Sequence, residues 1–253
     1  PLSPSLDTIG PLARSVACCA LLDAVLAGTA PAPLPDLPLA GLRLAVPQSL
    51  VLDDLDETVA ATFDHALERL SAAGARIEEI AFETLAEIPK ANTGGGFAAP
   101  ESYAWHRELL AARRADYDPR VALRIQAGEQ VSAADYIALL ARRAVLIAEA
   151  ARTAAPFDAV VLPTVSVVAP RIADLAGEDV YYSANALILR NTSVANFLDL
   201  PAISLPIHEP GNAPVGLMLM GKARHDRRLF ALAAAVEPLF AAVEPLFAAE
   251  KDA

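Results

Sequence analysis

A chain of 253 residues can bury a substantial core, either as one large domain or as two small ones. Its net charge of −11 excludes a nucleic-acid partner, because phosphate contacts need clustered Lys and Arg. Here the arginines stand beside acids, as Arg113 and Arg114 do beside Asp116, and read as solvated faces.

Hydrophobic residues make up 55% of the chain and the mean hydropathy is +0.38, much of it from alanine. No run of eighteen apolar residues occurs, and the stretch Val16–Leu26 is broken by Asp23, so no membrane partner is expected. Cys18 and Cys19 are the only cysteines and are adjacent, which leaves neither a disulfide framework nor a zinc site and fits a reducing, cytoplasmic setting. Pro1 opens the sequence without an initiator Met, a basic n-region or a cleavage signal, so export is not expected. The abrupt start inside ordered-looking sequence is what a truncation would give.

In chain order, Pro11 suits the first turn of a helix that runs to about Leu26 and closes at Gly28. A proline-rich linker follows from Pro31 to Pro38. Residues 41–46 (GLRLAV) alternate like a short strand. Asp53 to Asp56 bring acids to the start of a helix ending near Gly74, as the helix dipole favours, and 75–82 reads as the next strand, making a β-α-β unit. From Tyr103 to Ala155 the pattern is helical, with breaks near Pro119 and Gly128 and an N-cap at Ser132. Residues 157–162 (FDAVVL) form a buried-strand pattern, and after a loop two more strands are expected at 202–205 and 215–220. A last helix begins near His225. Strands mixed with helices throughout imply an α/β fold with a mixed central sheet flanked by helices, as a single domain over 1–253. One repeat is exact: Val236–Ala242 (VEPLFAA) recurs as Val243–Ala249. Pro238 and Pro245 break helices, so 236–253 is expected to be a duplicated, loosely packed tail.

No familiar catalytic constellation is present. There is no G-x-S-x-G elbow. Gly94 to Gly96 lack the lysine of a phosphate cradle and read as a loop. The histidines His65, His106, His208 and His225 have no metal-ligand spacing and are expected at the surface. Neither Lys90 nor Lys222 has a Ser-rich, Gly-rich partner motif that would make it a desolvated base. No residue is therefore assigned a catalytic, metal-binding or cofactor-binding role.

Four segments together resemble the amidase-signature family. They are PLSPSLDTIGPLAR (Pro1–Arg14), DAVVLP (Asp158–Pro163) running into Thr164, RNTSVANFLDLPAISLP (Arg190–Pro206) and PVGLMLMG (Pro214–Gly221). The resemblance covers nearly the whole chain and is similar to the larger, C-terminal part of that domain. It implies an amidase-signature fold, here incomplete, and hydrolysis of a carboxylic amide C–N bond without metal or cofactor. In the family a serine attacks the carbonyl, a second serine on a cis peptide relays the proton to a neutral lysine, and backbone N–H groups hold the oxyanion. Those residues precede the segment that Pro1–Arg14 resembles, so the isolated chain is expected to be inactive.

Three departures stand out: Asp199 replaces the usual glycine, Met218 the usual glutamine, and the tail is duplicated. Asp199 either tightens a turn or unsettles it. The resemblance leaves Asp7, Arg190 and Asn196 as substrate-pocket candidates. Each also has a structural reading: Asp7 bonding backbone N–H groups in its turn, with Gly10-Pro11 launching the helix, and Arg190 and Asn196 holding loop backbone. The expected partners are a small-molecule amide and, as an assembly, a homodimer. Two rival readings remain. One is a non-catalytic pseudoenzyme with a binding role. The other is the A subunit of a tRNA-dependent amidotransferase, whose usual Asp ahead of Thr-x-x-x-Asn is Leu189 here.

Overall fold

The computed structural model describes residues 1–240. Five strands make one sheet: β1 (Arg43–Pro47), β2 (Arg76–Ile80), β3 (Ala159–Pro163), β4 (Ala202–Pro206) and β5 (Gly216–Met220), in the order β2-β1-β3-β5-β4. The β2, β1 and β3 strands run parallel, with Leu44 opposite Ile77 and Ala159, whereas β5 runs antiparallel to both β3 and β4. All five residues of β3 are buried, as a central strand covered on both faces requires.

Alternation along the strands sorts the side chains into two cores. Leu44, Val46, Val161, Leu217 and Leu219 point into one, with α2 (Glu57–Ala72) and α8 (Asp226–Phe240) over them. Ala45, Val160, Leu162, Met218 and Met220 point into the other, under α3 (Glu83–Ala91), α6 (Ala133–Ala154) and α7 (Glu178–Phe197). The remaining helices are α1 (Val16–Leu26), packed on α8, and α4 (Ala98–Arg113) with α5 (Pro119–Ala127), which share a small cluster around Leu110 and Ile125. Met218 is 5% exposed, so the family's departure at this position fills apolar space.

Local chemistry explains several boundaries. The Asp56 carboxylate caps α2 by accepting from Val59 N at 2.9 Å, and it also accepts from Val168 N beyond β3. Ser132 and Asp135 form a capping box at the start of α6. Gly128 is buried where the turn after α5 meets α4, and a Cβ there would lie 2.0 Å from Ala99 O.

The structure corrects four expectations. Helix α1 starts at Val16 with Ser15 capping Cys18 N, so Gly10-Pro11 does not launch it. Helix α3 was not expected; it is nine residues long, carries Pro89 near its end and has no side-chain cap, which leaves little sequence signal. Helix α7 occupies what reads as a loop, because its fully buried residues (Asn191, Val194, Ala195 and Phe197) are confined to its last two turns. Finally, the first copy of the repeat is not loose where it is described. Val236 and Phe240 are 0% and 7% exposed, Pro238 lies within α8, and the Arg69 guanidinium bonds Leu239 O and stacks 5.1 Å from the Phe240 ring centre. The second copy, Val243–Ala249, lies outside the described residues.

Asp199 resolves its turn. It holds φ 58° directly after α7, Asp199 N bonds Asn196 O at 3.3 Å, and Leu200 N bonds Ala195 O at 3.0 Å. This is a Schellman termination with an aspartate at the left-handed position, where glycine carries no Cβ penalty. The side chain is exposed, so relief of that strain dominates any change there. Asp199→Gly should raise stability by about 0.5–1 kcal/mol, read as a higher denaturant midpoint at unchanged slope.

Candidate functional site

The segment 1–11 is held against the helices by three groups. The Asp7 carboxylate accepts from Leu2 N (3.0 Å) and Ser3 N (3.1 Å) and closes the turn. Asn196, on α7, donates from Nδ2 to Leu6 O at 2.7 Å. Glu101, on α4, accepts from Ser3 Oγ (2.6 Å), Ser5 N (3.0 Å), Ser5 Oγ and, from α6, Tyr136 OH (2.6 Å). Burial alone would raise the Glu101 pKa, but the hydroxyl and backbone donors together outweigh it and hold the carboxyl below its ordinary range. The same bond raises the Tyr136 phenol.

Arg143, on α6, fixes the end of α7. Its Nε donates to Phe197 O at 2.7 Å and its Nη2 to Asn196 O at 3.3 Å, so a cation meets the negative end of the helix. Its guanidinium lies over the Phe97 and Phe197 rings. One turn and a half earlier on α7, Asn191 is fully buried. It donates to Val51 O (2.9 Å) and Pro163 O (2.8 Å), tying α7 to the turn that follows β1 and to the end of β3. Arg190 extends this tie. Its Nε donates to Asn191 Oδ1 at 3.1 Å, and its Nη2 donates to Ser166 Oγ at 2.7 Å and to Asp53 O. Burial pushes its pKa down, with Asp53 and Asp54 pulling it back.

A cleft of about 490 Å³ opens beside this scaffold, bounded by Ile9, Pro11, Asn196, Ile203, Asp226 and Phe230. Asp23 also lines it, and its carboxyl is raised, first by burial and then by Asp226. Of the three expected pocket residues, only Asn196 reaches this cleft. Asp7 sits in the adjoining turn, and Arg190 stands six positions before Asn196, on another face of α7. All three hold backbone, in the manner of their structural readings. Glu101, Tyr136, Asn191 and Arg143 were not singled out in the sequence. Asn191 lies inside a recognised motif, but the other three converge only once α4, α6 and α7 pack.

The serines here are poor nucleophile candidates. Ser5 Oγ donates to a carboxylate that is already saturated with donors and held at low pKa, whereas an effective general base titrates near the working pH. Lys90 is exposed and paired with Glu87, and exposed Lys222 donates to Ala155 O. Of the histidines, His65 and His225 are exposed as expected, but His106 and His208 are half-buried, and His106 bonds Tyr117 OH at 2.9 Å. Among the described residues no group of three or more His, Cys, Asp or Glu is placed to hold a metal ion, and no helix is long and apolar enough to cross a membrane.

With this geometry in view, comparison with known proteins defines the class. Residues 1–230 match the family model named Amidase, and the chain belongs to the amidase family. It is 37% identical over 247 residues to 2-amino-5-chloromuconic acid deaminase of Comamonas testosteroni, covering 94% of this chain and 52% of that protein. It is 29% identical over 265 residues to indoleacetamide hydrolase of Rhizobium radiobacter, covering 94% and 55%. The solved structure titled "Crystal structure of amidase" superposes with a TM-score of 0.83 at 27% identity, covering 95% of this chain and 54% of that one. The chain thus spans about half the length of the curated relatives it matches.

Two substitutions test the scaffold. A carboxyl whose folded pKa is depressed stabilises the fold above its unfolded pKa of about 4.3, and that contribution disappears as pH falls through the lower folded value. Wild type should therefore exceed Glu101→Gln in thermal midpoint at pH 7, with the gap closing below pH 4.3. A gap independent of pH would refute the charged clamp. Asn191→Ala leaves the Val51 and Pro163 carbonyls without their donor and opens a void, and should cost about 2–3 kcal/mol in chemical denaturation.

Proposed function

We propose that this chain is the larger, C-terminal part of an amidase that hydrolyses a carboxylic amide C–N bond, and that it contributes scaffold and cleft wall while the nucleophile, base and oxyanion donors lie in the portion of an amidase that it does not span. The observation that carries the reading is the match over residues 1–230, joined to a chain that covers only about half of its relatives. The low-pKa, donor-saturated Glu101 supports it from the side of chemistry, since its contacts with the Ser3 and Ser5 hydroxyls are built to hold a loop and not to activate a nucleophile. The mechanism is the family's serine, cis-serine and lysine relay, with no metal or cofactor step. Two free cysteines suit a reducing, cytoplasmic compartment.

The substrate is a small-molecule amide. The relatives' names bracket the panel: one names indoleacetamide and the other 2-amino-5-chloromuconic acid. A role as amidotransferase A subunit is disfavoured by Leu189, half-exposed on α7 where that branch carries an aspartate. A binding-only pseudoenzyme would keep the cleft and never gain turnover.

The test is ammonia release from indole-3-acetamide, small aliphatic amides and 2-aminomuconic acids. The chain alone should show none, because loss of a nucleophile costs on the order of a millionfold in turnover. Turnover should appear when the missing portion of an amidase is supplied, and it should survive dialysis against a chelator. Turnover by the chain alone that Ser5→Ala abolishes would instead place the active site at Glu101.

A further inference from the structure

Helix α4 alone addresses three alternate residues of the segment 1–11. His106 Nε2 donates to Pro1 O at 3.2 Å, and in the neutral ring Nδ1 then accepts from Tyr117 OH at 2.9 Å, since a carbonyl only accepts. One turn earlier on α4 stands Glu101. Its Oε2 accepts from Ser3 Oγ (2.6 Å) and Ser5 N (3.0 Å), and its Oε1 accepts from Ser5 Oγ and from Tyr136 OH (2.6 Å). Ser3 is 1% exposed, so water is not at hand to replace its partner.

Apolar packing ties α4 to the sheet only at its start. Phe97, just ahead of the helix, lies in the second core, whereas Leu110 belongs to the separate cluster with Ala122 and Ile125. The approach to α4 runs through Gly94, Gly95 and Gly96 at φ 71°, 96° and 54°, a junction that no side chain stiffens. The relation between α4 and the segment 1–11 is therefore set by directed bonds. Bonds to a carboxylate are about twice as strong as neutral ones, and here one carboxylate gathers four of them.

We propose that Glu101 is a positioning residue for amide hydrolysis: through Ser3 and Ser5 it fixes the stretch of chain that adjoins the catalytic portion of an amidase at Pro1. The inference rests on the amidase reading above, which places nucleophile, base and oxyanion donors in that portion. Glu101 is not among the residues that bound the cleft, and both its oxygens are occupied by protein donors, so it acts through the serines and not on substrate. A displacement of Ser3 and Ser5 passes along the backbone to whatever precedes Pro1. Misplacing reacting groups by about 1 Å costs on the order of a hundredfold in rate.

Glutamine separates position from charge. With its carbonyl oxygen in the place of Oε2, it still accepts from Ser3 Oγ and Ser5 N. Its amide then donates to Ser5 Oγ and Tyr136 OH, because hydroxyls accept as well as donate. The connectivity survives on weaker, neutral bonds, whereas alanine abolishes it.

The experiment completes the chain with the portion of the Comamonas testosteroni deaminase that it does not match, joined ahead of Pro1, and measures ammonia release from the amide panel. Glu101→Ala should lower kcat at least about a hundredfold with KM within about threefold of wild type. Glu101→Gln should keep kcat within about tenfold of wild type. Ser3→Ala and Ser5→Ala should each lower kcat about tenfold, and adding both to Glu101→Ala should cost nothing further, as for groups that act as one unit. The serine variants carry the test should Glu101→Ala fail to keep the circular dichroism of wild type. Full kcat in Glu101→Ala, an effect confined to KM, a Glu101→Gln as impaired as Glu101→Ala, or additive losses would each overturn the proposal and spare the amidase reading. No turnover by the completed wild type would defeat that reading and the proposal with it.

Discussion

The antiparallel pairing of β5 on the buried strand β3 is the constraint from which the rest follows. Val161 opposite Leu219 and Leu162 opposite Met218 set a register in which every second side chain serves a different core. A slip by one residue would exchange Leu217 and Leu219 with Met218 and Met220 and place each set against the wrong helices. That register also carries β4 outward to the edge, and the cleft exists because β4 is held there between α8 and the segment 1–11.

Polar groups then fix what apolar packing cannot orient. Burial brings α4, α6 and α7 to one face of the sheet, but rotation and height are set by a few directed bonds. Arg143 grips the last carbonyls of α7, Asn191 in its last two turns ties it to β3 and to the turn after β1, and Glu101 and Asn196 pin the opening turn. Each of these groups is satisfied; among the described residues no buried side-chain nitrogen or oxygen lacks a partner. A scaffold of this kind holds the segment 1–11 to a fixed geometry.

The sheet was legible in the sequence because four of its five strands are short and largely apolar, and because the β-α-β unit is announced by Asp56 and Gly74 at the two ends of α2, which placed the charged β2 as well. The family was legible too, since four motifs keep their order along the chain. Less legible were α3 and α7. Both depend on tertiary burial of a few positions, and α7 begins at Glu178, after Gly177, with no side-chain cap to mark it. The clamp was legible only in part. Asp7 closes a local turn within five residues and can be read from its neighbours, whereas Glu101 gathers donors from residues 96 and 98 positions before it and 35 after it. No local pattern encodes such a meeting.

The departures from the family's pattern follow the same division. Met218 replaces a polar residue by one that fills the second core, where an unsatisfied amide would cost more than the lost polarity. Asp199 replaces a glycine at a left-handed position, the one site in this termination where a side chain costs backbone strain, and it does so on the surface, where the carboxylate remains hydrated. Neither residue takes part in the side-chain bonds made by Asp7, Asn191, Asn196 or Glu101. Met218 is thus governed by packing volume and Asp199 by turn strain, and the network that positions the segment 1–11 is separate from both. Glu101 from α4 and Asn196 from α7 reach the segment 1–11 from different elements, so its geometry is set by how those two helices pack.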